Sequence, residues 1–372
     1  MNNSVWQIGD LAPGASKTLI ITGKLDGQEN EQRAFKFNVG ISNPADNTQI
    51  ATVFYTDTET VGIQKPFVGL SLAFDGNSTT TYPTYAGNTI NATLNYSNNM
   101  PTALTDATIS IKLNGAILDE SSVISPQAVF ESSNNTITWD SRSVPDLASL
   151  SPGDSGTVQF SFKILPFTPG SAYARSSQKV SISAIVNGTQ VSSAGSAPVS
   201  SSIAGAVVVN SNISLGASAL YSSGPIKNNG PIPPRAEKPT TYTINWGISN
   251  TFNNTSNVTV SAVLPSYVKF VNSISPQDEN VTYDPVSGEV DWNVGNIKTN
   301  TGYVSAARQV SFQVSISPSL TQVGTTPTLI GDSTLKATDT FTGASLTSVA
   351  NSLTTDIIND PQYKQGYGIV GR

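Results

Sequence analysis

Apolar residues at every second position constrain this chain most. Val158, Phe160, Phe162 and Ile164 form one such series, Val310, Phe312, Val314 and Ile316 another, and Leu19 with Ile21 a shorter one. A period of two buries one face of a strand and leaves the other wet, so these stretches predict half-buried β-strands. Each follows a related motif. Trp6-x-Ile8-Gly9-x-Leu11 has the spacing of Trp292-x-Val294-Gly295-x-Ile297, and Leu11-x-Pro13-Gly14-x-Ser16-x-Thr18 has that of Leu150-x-Pro152-Gly153-x-Ser155-x-Thr157. The alternation therefore belongs to a repeated unit.

Two complete copies of that unit are readable. Ile124-Ser125-Pro126-Gln127 returns at Ile274-Ser275-Pro276-Gln277, TDATISIKL (Thr105 to Leu113) meets SNVTVSAVL (Ser256 to Leu264), and INATLNYSNN (Ile90 to Asn99) meets YTINWGISN (Tyr242 to Asn250) with Tyr96 facing Trp246. Trp139 corresponds to Trp292. The period, roughly 135 to 155 residues, is that of an array of domains. FVGLSLAFDG (Phe67 to Gly76) and NISLGASALY (Asn212 to Tyr221) read as equivalent first strands. Boundaries follow near residues 65 and 205: 1–65 the C-terminal half of a β-sandwich repeat, 66–205 a complete repeat, 206–360 a complete repeat with longer loops, and 361–372 a tail. Each copy is expected to close with a hairpin, in DNTQIA (Asp46 to Ala51), NGTQVS (Asn187 to Ser192) and FTGASL (Phe341 to Leu346), with Asn187-Gly188 suited to a type I′ turn. A half-sandwich exposes an apolar face and unpaired edges. Either residues 1–65 end a longer array, or another chain supplies the missing strands by strand complementation.

Composition supports an all-β chain and removes most chemistry. Only 12% of the 372 residues are charged, and Cys and His are both absent. Disulfides, thiolate metal sites, His-dependent triads and imidazole ligands are thereby excluded. A net charge of −6 without basic clusters argues against nucleic acid and anionic membrane as partners. The start MNNSVWQIGD lacks the basic-then-apolar pattern of a signal peptide, and the longest apolar run, Ile203 to Val209, is far short of the ~20 residues that span a bilayer. The chain is expected to be extracellular, with any signal and anchor lying outside it.

No catalytic, cofactor-binding or metal site emerges. Trp6, Trp139, Trp246 and Trp292 are possible sugar platforms, but their recurrence at repeat positions predicts core packing. Asp26, Glu29 and Glu31 could offer oxygens to calcium, yet their spacing is not that of an EF-hand and fits an ordinary acidic turn. Carboxylates such as Asp332, Asp339 and Asp356 lie singly in turns, with no pair selected for glycoside hydrolysis. Lys112 and Lys163 alternate with apolar neighbours and so are expected in solvent rather than in internal crosslinks. GPIKNNGPIPPR (Gly224 to Arg235) reads as a stiff inter-strand loop, with a polyproline recognition segment as its rival. Asn-x-Ser/Thr triplets at Asn77, Asn91, Asn187, Asn212, Asn257 and Asn280 allow glycosylation without requiring it.

The Trp-x-φ-Gly-x-Leu-x-Pro-Gly-x-Ser-x-Thr segment resembles the Ig-like, prealbumin-like "conserved repeat" domain of unknown function found in tandem on prokaryotic surface proteins. The third copy is similar to a form found in large surface proteins of candidate bacterial phyla, through NGPIPPRAEKPTTYTINW (Asn229 to Trp246), VLPSYVKFV (Val263 to Val271) and ATDTFTG (Ala337 to Gly343). The second copy departs from the pattern in having no Leu-Pro after Leu113, and the third has no Pro-Gly after Ile297. The resemblance implies tandem antiparallel Ig-like β-sandwiches, no shared catalytic residues, and a non-enzymatic structural or adhesive stalk at a cell surface. Its partners would be other repeats of the same or a neighbouring chain. Two alternatives stay open: a glycan- or protein-binding module using the extra loops Gly224 to Lys238 and Thr299 to Ala307, and a self-assembling subunit using the incomplete first copy.

Overall fold

The computed structural model describes residues 5–21, 32–62, 66–192 and 195–372. Among these residues there is no α-helix, only strands and three short 3-10 turns. Most of the chain forms two Ig-like β-sandwiches in tandem, antiparallel apart from one short parallel pairing between Gly195–Val209 and Thr81–Thr84.

The first sandwich packs a four-stranded sheet, in the order Val68–Phe74, Thr89–Asn98, Ser155–Ile164, Leu118–Ile124, against a sheet centred on Leu104–Asn114 and Lys179–Ser192. The second packs Ile213–Leu220, Thr240–Asn250, Arg308–Ile316 and Val268–Ser275, in that order, against Asn280–Asp284, Glu289–Ile297, Thr255–Val263, Ser333–Asp339 and Ser345–Ala350. The four-stranded layers share one strand order, and the opposite layers share an order over five strands, to which the first sandwich adds Thr81–Thr84 at one edge and Ser149–Leu150 beside Leu104–Asn114. Alternation does what its period requires: Val158, Phe160, Phe162 and Ile164 fill the first core, and Val310, Phe312, Val314 and Ile316 fill the second. Asp106 and Asn257 occupy equivalent places in their strands and both take positive φ, 50° and 53°, at the bulge where pairing shifts register. Asp and Asn are the non-glycine residues that tolerate this conformation best.

Tryptophans anchor the repeated Ile-Ser-Pro-Gln turn. Trp139, 1% exposed, donates its indole N–H to the Pro126 carbonyl at 3.2 Å. Trp292, fully buried, donates to Glu279 Oε2 at 2.9 Å, three residues past Pro276. In both copies the turn ties to the indole of the following strand.

Several expectations are corrected. Asn187-Gly188 makes no type I′ turn; Lys179–Ser192 runs straight through it, with Gly188 opposite Val199. The glycine is needed for another reason, since a Cβ there would lie 2.7 Å from Leu104 Cδ1. Leu19 to Ile21 form no strand and are exposed. In the complete copy the corresponding Ser155–Ile164 is held between two neighbours, and none flanks Leu19 to Ile21 among the described residues. The last strand of the first sandwich continues past residue 205 to Val209, which leaves Asn210 to Asn212 as the connector. Residues 361–372, expected as a tail, are docked. Val370 is 1% exposed, its N–H bonds Thr325 O, and Gly371 exchanges hydrogen bonds with Pro234 and Ala236. Register also moves one equivalence: Val68 pairs with Asn98 and Ile213 with Asn250, so Trp246 lies level with Leu94 rather than Tyr96.

Ahead of the sandwiches stands a hairpin, Gln32–Asn43 with Asp46–Gly62, turning at Pro44-Ala45. Phe37, Val39, Ile41 and Tyr55 are exposed on it.

Candidate functional site

Two features of the second sandwich go beyond what a lone β-sandwich needs. The first is its joint to the sandwich before it. Asn210 and Ser211 of the connector are 7% and 0% exposed, unlike an ordinary linker. Asp339 holds them. Its Oδ2 accepts from Ser211 N at 2.7 Å and Asn253 Nδ2 at 2.9 Å, while Oδ1 accepts from Phe341 N at 2.8 Å and Thr342 N at 3.1 Å. One carboxylate thus caps its own hairpin turn and clamps the connector. Asn253 Nδ2 also reaches Val209 O at 2.7 Å, and Ser211 Oγ donates to Asn250 Oδ1 at 2.7 Å. Apolar contacts close the joint. Phe252, from the second sandwich, is 5% exposed and sits in the core of the first, edge-on to Phe167 with ring centroids 4.9 Å apart. Tyr303, in the longer loop Thr299 to Ala307, also meets Phe167 edge-on, with ring centroids 5.0 Å apart.

The second feature is a cleft of about 570 Å3 on the outer face of the sheet carrying Thr240–Asn250 and Arg308–Ile316. Asn245, Gln309 and Ser311 form its floor, Leu220 and Pro225 one wall, and Ser275, Pro276, Ala307 and Arg308 the other. The loop after Leu220 is fastened over the same sheet face. Asn228, 8% exposed, donates to Thr243 Oγ1 at 3.0 Å and accepts from Gln313 Nε2 at 2.9 Å. At the cleft's edge Glu279, its side chain 4% exposed, joins Arg308 Nη2 at 2.8 Å in addition to the Trp292 indole. The first sandwich has no such wall, because Val68–Phe74 turns back within Asp75 to Thr80 and leaves its outer face open.

Asp360 ties that wall to the C-terminal segment. Its Oδ2 accepts from Tyr221 N at 2.7 Å and Ser222 N at 2.8 Å, and its Oδ1 from Gln362 N at 3.0 Å and from Ser222 Oγ. Burial pushes this carboxyl up, but those hydrogen bonds outweigh it and bring its pKa down from 3.8 to about 2. A depressed folded pKa stabilises the fold above the unfolded value and loses that contribution as pH falls through the folded one. Urea midpoints are therefore expected to fall between pH 3.8 and about 2, and Asp360→Asn should show a smaller fall over this window. Equal falls in both proteins would contradict the assignment.

The remaining candidates are placed as follows. Trp139, Trp246 and Trp292 are core residues, whereas Trp6 is 48% exposed. Lys112 and Lys163 are exposed, as are all six of the named glycosylation-type asparagines. Asp26, Glu29 and Glu31 lie outside the described residues, and among those described no three acidic side chains gather as a metal site. Asp332 is exposed and Asp356 accepts from the Tyr363 hydroxyl at 2.7 Å; neither joins Asp339, which alone of the three is buried. Phe167, Phe252, Glu279 and Asp360 carried no signal in the sequence, because each acts through a partner distant along the chain.

No protein-family model matches the chain, and no curated protein does. Among solved structures it is similar to the C-terminal domain of the AgI/II polypeptide BspA of Streptococcus agalactiae, at 12% identity over 76% of this chain and 99% of that one, TM-score 0.27. It is also similar to a variant of BcpA, the major pilin subunit of Bacillus cereus, at 9% identity over 90% and 76%, TM-score 0.31. AvmM, which catalyses macrocyclization in alchivemycin A biosynthesis, matches at 10% identity over 39% and 90%, TM-score 0.24. Among the described residues no helix is long and apolar enough to cross a membrane.

Proposed function

We propose that this chain is a non-catalytic stalk segment of a prokaryotic cell-surface protein, in which tandem sandwiches act as a stiff spacer. The observation that carries the reading is the joint. A connector of three residues, two of them buried and clamped by Asp339 and Asn253, leaves little freedom for bending between the sandwiches. Interdomain contacts as a class permit relative motion unless they are well packed, and here one sandwich lends an aromatic ring to the core of the other. A spacer needs this geometry and needs no reactive residue. The low charge and the resemblance to surface repeats support the extracellular setting. The exposed apolar side chains of the hairpin Gln32–Gly62 support another β-repeat, of the same or a neighbouring chain, as the partner.

Small-angle scattering tests the spacer reading. The native chain is expected to fit a single arrangement of the two sandwiches, and a variant with a flexible Gly/Ser insertion after Asn210 should require an ensemble. A native profile that itself demands many orientations would sink the reading. The mass from the same experiment identifies the partner class, since a strict monomer leaves only repeats of the same chain.

A further inference from the structure

We propose that the cleft on the second sandwich binds a neutral saccharide of one or two rings. This goes beyond the spacer reading and does not depend on it. The cleft's volume of about 570 Å3 falls in the range that small ligands occupy, roughly 300–1,000 Å3. Its lining selects among ligand classes. Arg308 and Glu279 are the only ionisable groups lining it, and they neutralise each other, so neither an anion nor a cation finds an unmatched charge. No aromatic ring lines it, so a nucleobase has nothing to stack on, and a sugar would rest on aliphatic side chains and hydrogen bonds alone. Both floor strands are already paired on either side, so an extended peptide could not add its backbone to the sheet there.

What the cleft does offer suits a ring of hydroxyls. Asn245 uses its Oδ1 to accept from Ser311 Oγ at 3.0 Å, while its Nδ2 makes no bond among the described residues. Gln309 is exposed and its amide is likewise unengaged there, offering both a donor and an acceptor. Arg308 spends Nη2 on Glu279 and keeps further N–H donors on a half-exposed guanidinium. Leu220, Pro225 and Pro276 supply apolar surface for the C–H face of a sugar. Glu279 fixes the arginine, and its bond to the buried Trp292 indole anchors the pair to the core, so the donors are held in place before any ligand arrives.

The test is a titration of the full chain with glucose, galactose, mannose, N-acetylglucosamine and their β1,4-linked dimers, following the side-chain amide signals of Asn245 and Gln309 by NMR. At least one sugar should saturate with a Kd on the order of 1 mM, as a shallow site for a ligand of few atoms predicts. Gln309→Leu, which keeps the side chain's size but removes both its amide donor and its acceptor, should weaken that binding about tenfold without lowering the melting temperature. Arg308→Lys, which keeps the pair with Glu279 but removes the planar fork of donors, should weaken it as well. Absence of saturation by every sugar up to about 50 mM would overturn the proposal. So would shifts that map elsewhere, or binding that both variants leave unchanged.

Discussion

Replacing Asp339 by alanine should cost the second sandwich about 2–6 kcal/mol and loosen its joint to the first. The side chain satisfies four donors, and they do not fare alike when it goes. Phe341 N and Thr342 N lie in a turn whose Phe341 is exposed, where water can replace the carboxylate. Ser211 N and Asn253 Nδ2 belong to residues 0% and 7% exposed, where it cannot. The Ser211 N–H and one Asn253 Nδ2 hydrogen, the other staying on Val209 O, lose their acceptors at about 1–3 kcal/mol each, which sets the range. For a domain of this size the melting temperature should fall by roughly 10 °C. Asp339→Asn would not rescue the loss fully, because one face of an amide presents N–H groups to donors that need an acceptor. Asp332→Ala is the control. Among the described residues its exposed carboxylate accepts only Ser352 N, at 2.8 Å, and its removal should change stability by no more than about 0.5 kcal/mol. Denaturant unfolding of the three variants checks the ranking, and equal effects of D339A and D332A would remove Asp339 from the joint's mechanics.

Asp339 also illustrates the limits of reading this chain from its residues. Its place in a turn was legible from Asp-x-Phe-Thr-Gly, since Asp, Thr and Gly each have a turn-forming reason to be there. Its second role was not, because Ser211 lies 128 positions away and nothing local records that distance. The strands themselves were legible, as Val158 to Ile164 and Val310 to Ile316 show, because burial of one face is written directly into a period of two. That same period hides register. A slip of two residues keeps every side chain on its own face, so Tyr96 could be set against Trp246 when the structure sets Leu94 there. Asn98 and Asn250, both fully buried, fix the true alignment. Asn98 donates to Thr102 O and Leu150 O, and Asn250 to Asn253 O and Lys298 O. Asn187-Gly188 misled for a complementary reason: the dipeptide permits a tight turn, but the glycine here answers the close approach of Leu104. The cleft was visible only as an extra loop in the third copy. Its floor residues alternate with core residues, and a polar residue on an outer sheet face looks the same whether a loop covers it or not.

Phe252→Ala should destabilise the first sandwich although the residue lies in a loop between two strands of the second. The ring is 5% exposed, packs within the first core, and meets Phe167 edge-to-face at 4.9 Å and 84°. Truncating a buried Phe costs about 3–5 kcal/mol, of which the edge-to-face pair accounts for about 0.5–1.5. Part of that loss falls on the first core and part on the interface, so the two sandwiches should also separate thermodynamically. Calorimetry of the native chain is expected to show one coupled transition, and the variant two, with the first sandwich melting earlier. Phe252→Leu keeps most of the buried volume and should fall between the two. Phe341→Ala, at a ring 46% exposed in the Asp339 turn, should leave the calorimetric trace nearly unchanged. Were F252A to melt as a single transition at the native temperature, the ring would not couple the sandwiches, and the stiffness of the joint would rest on Asp339 and the connector alone.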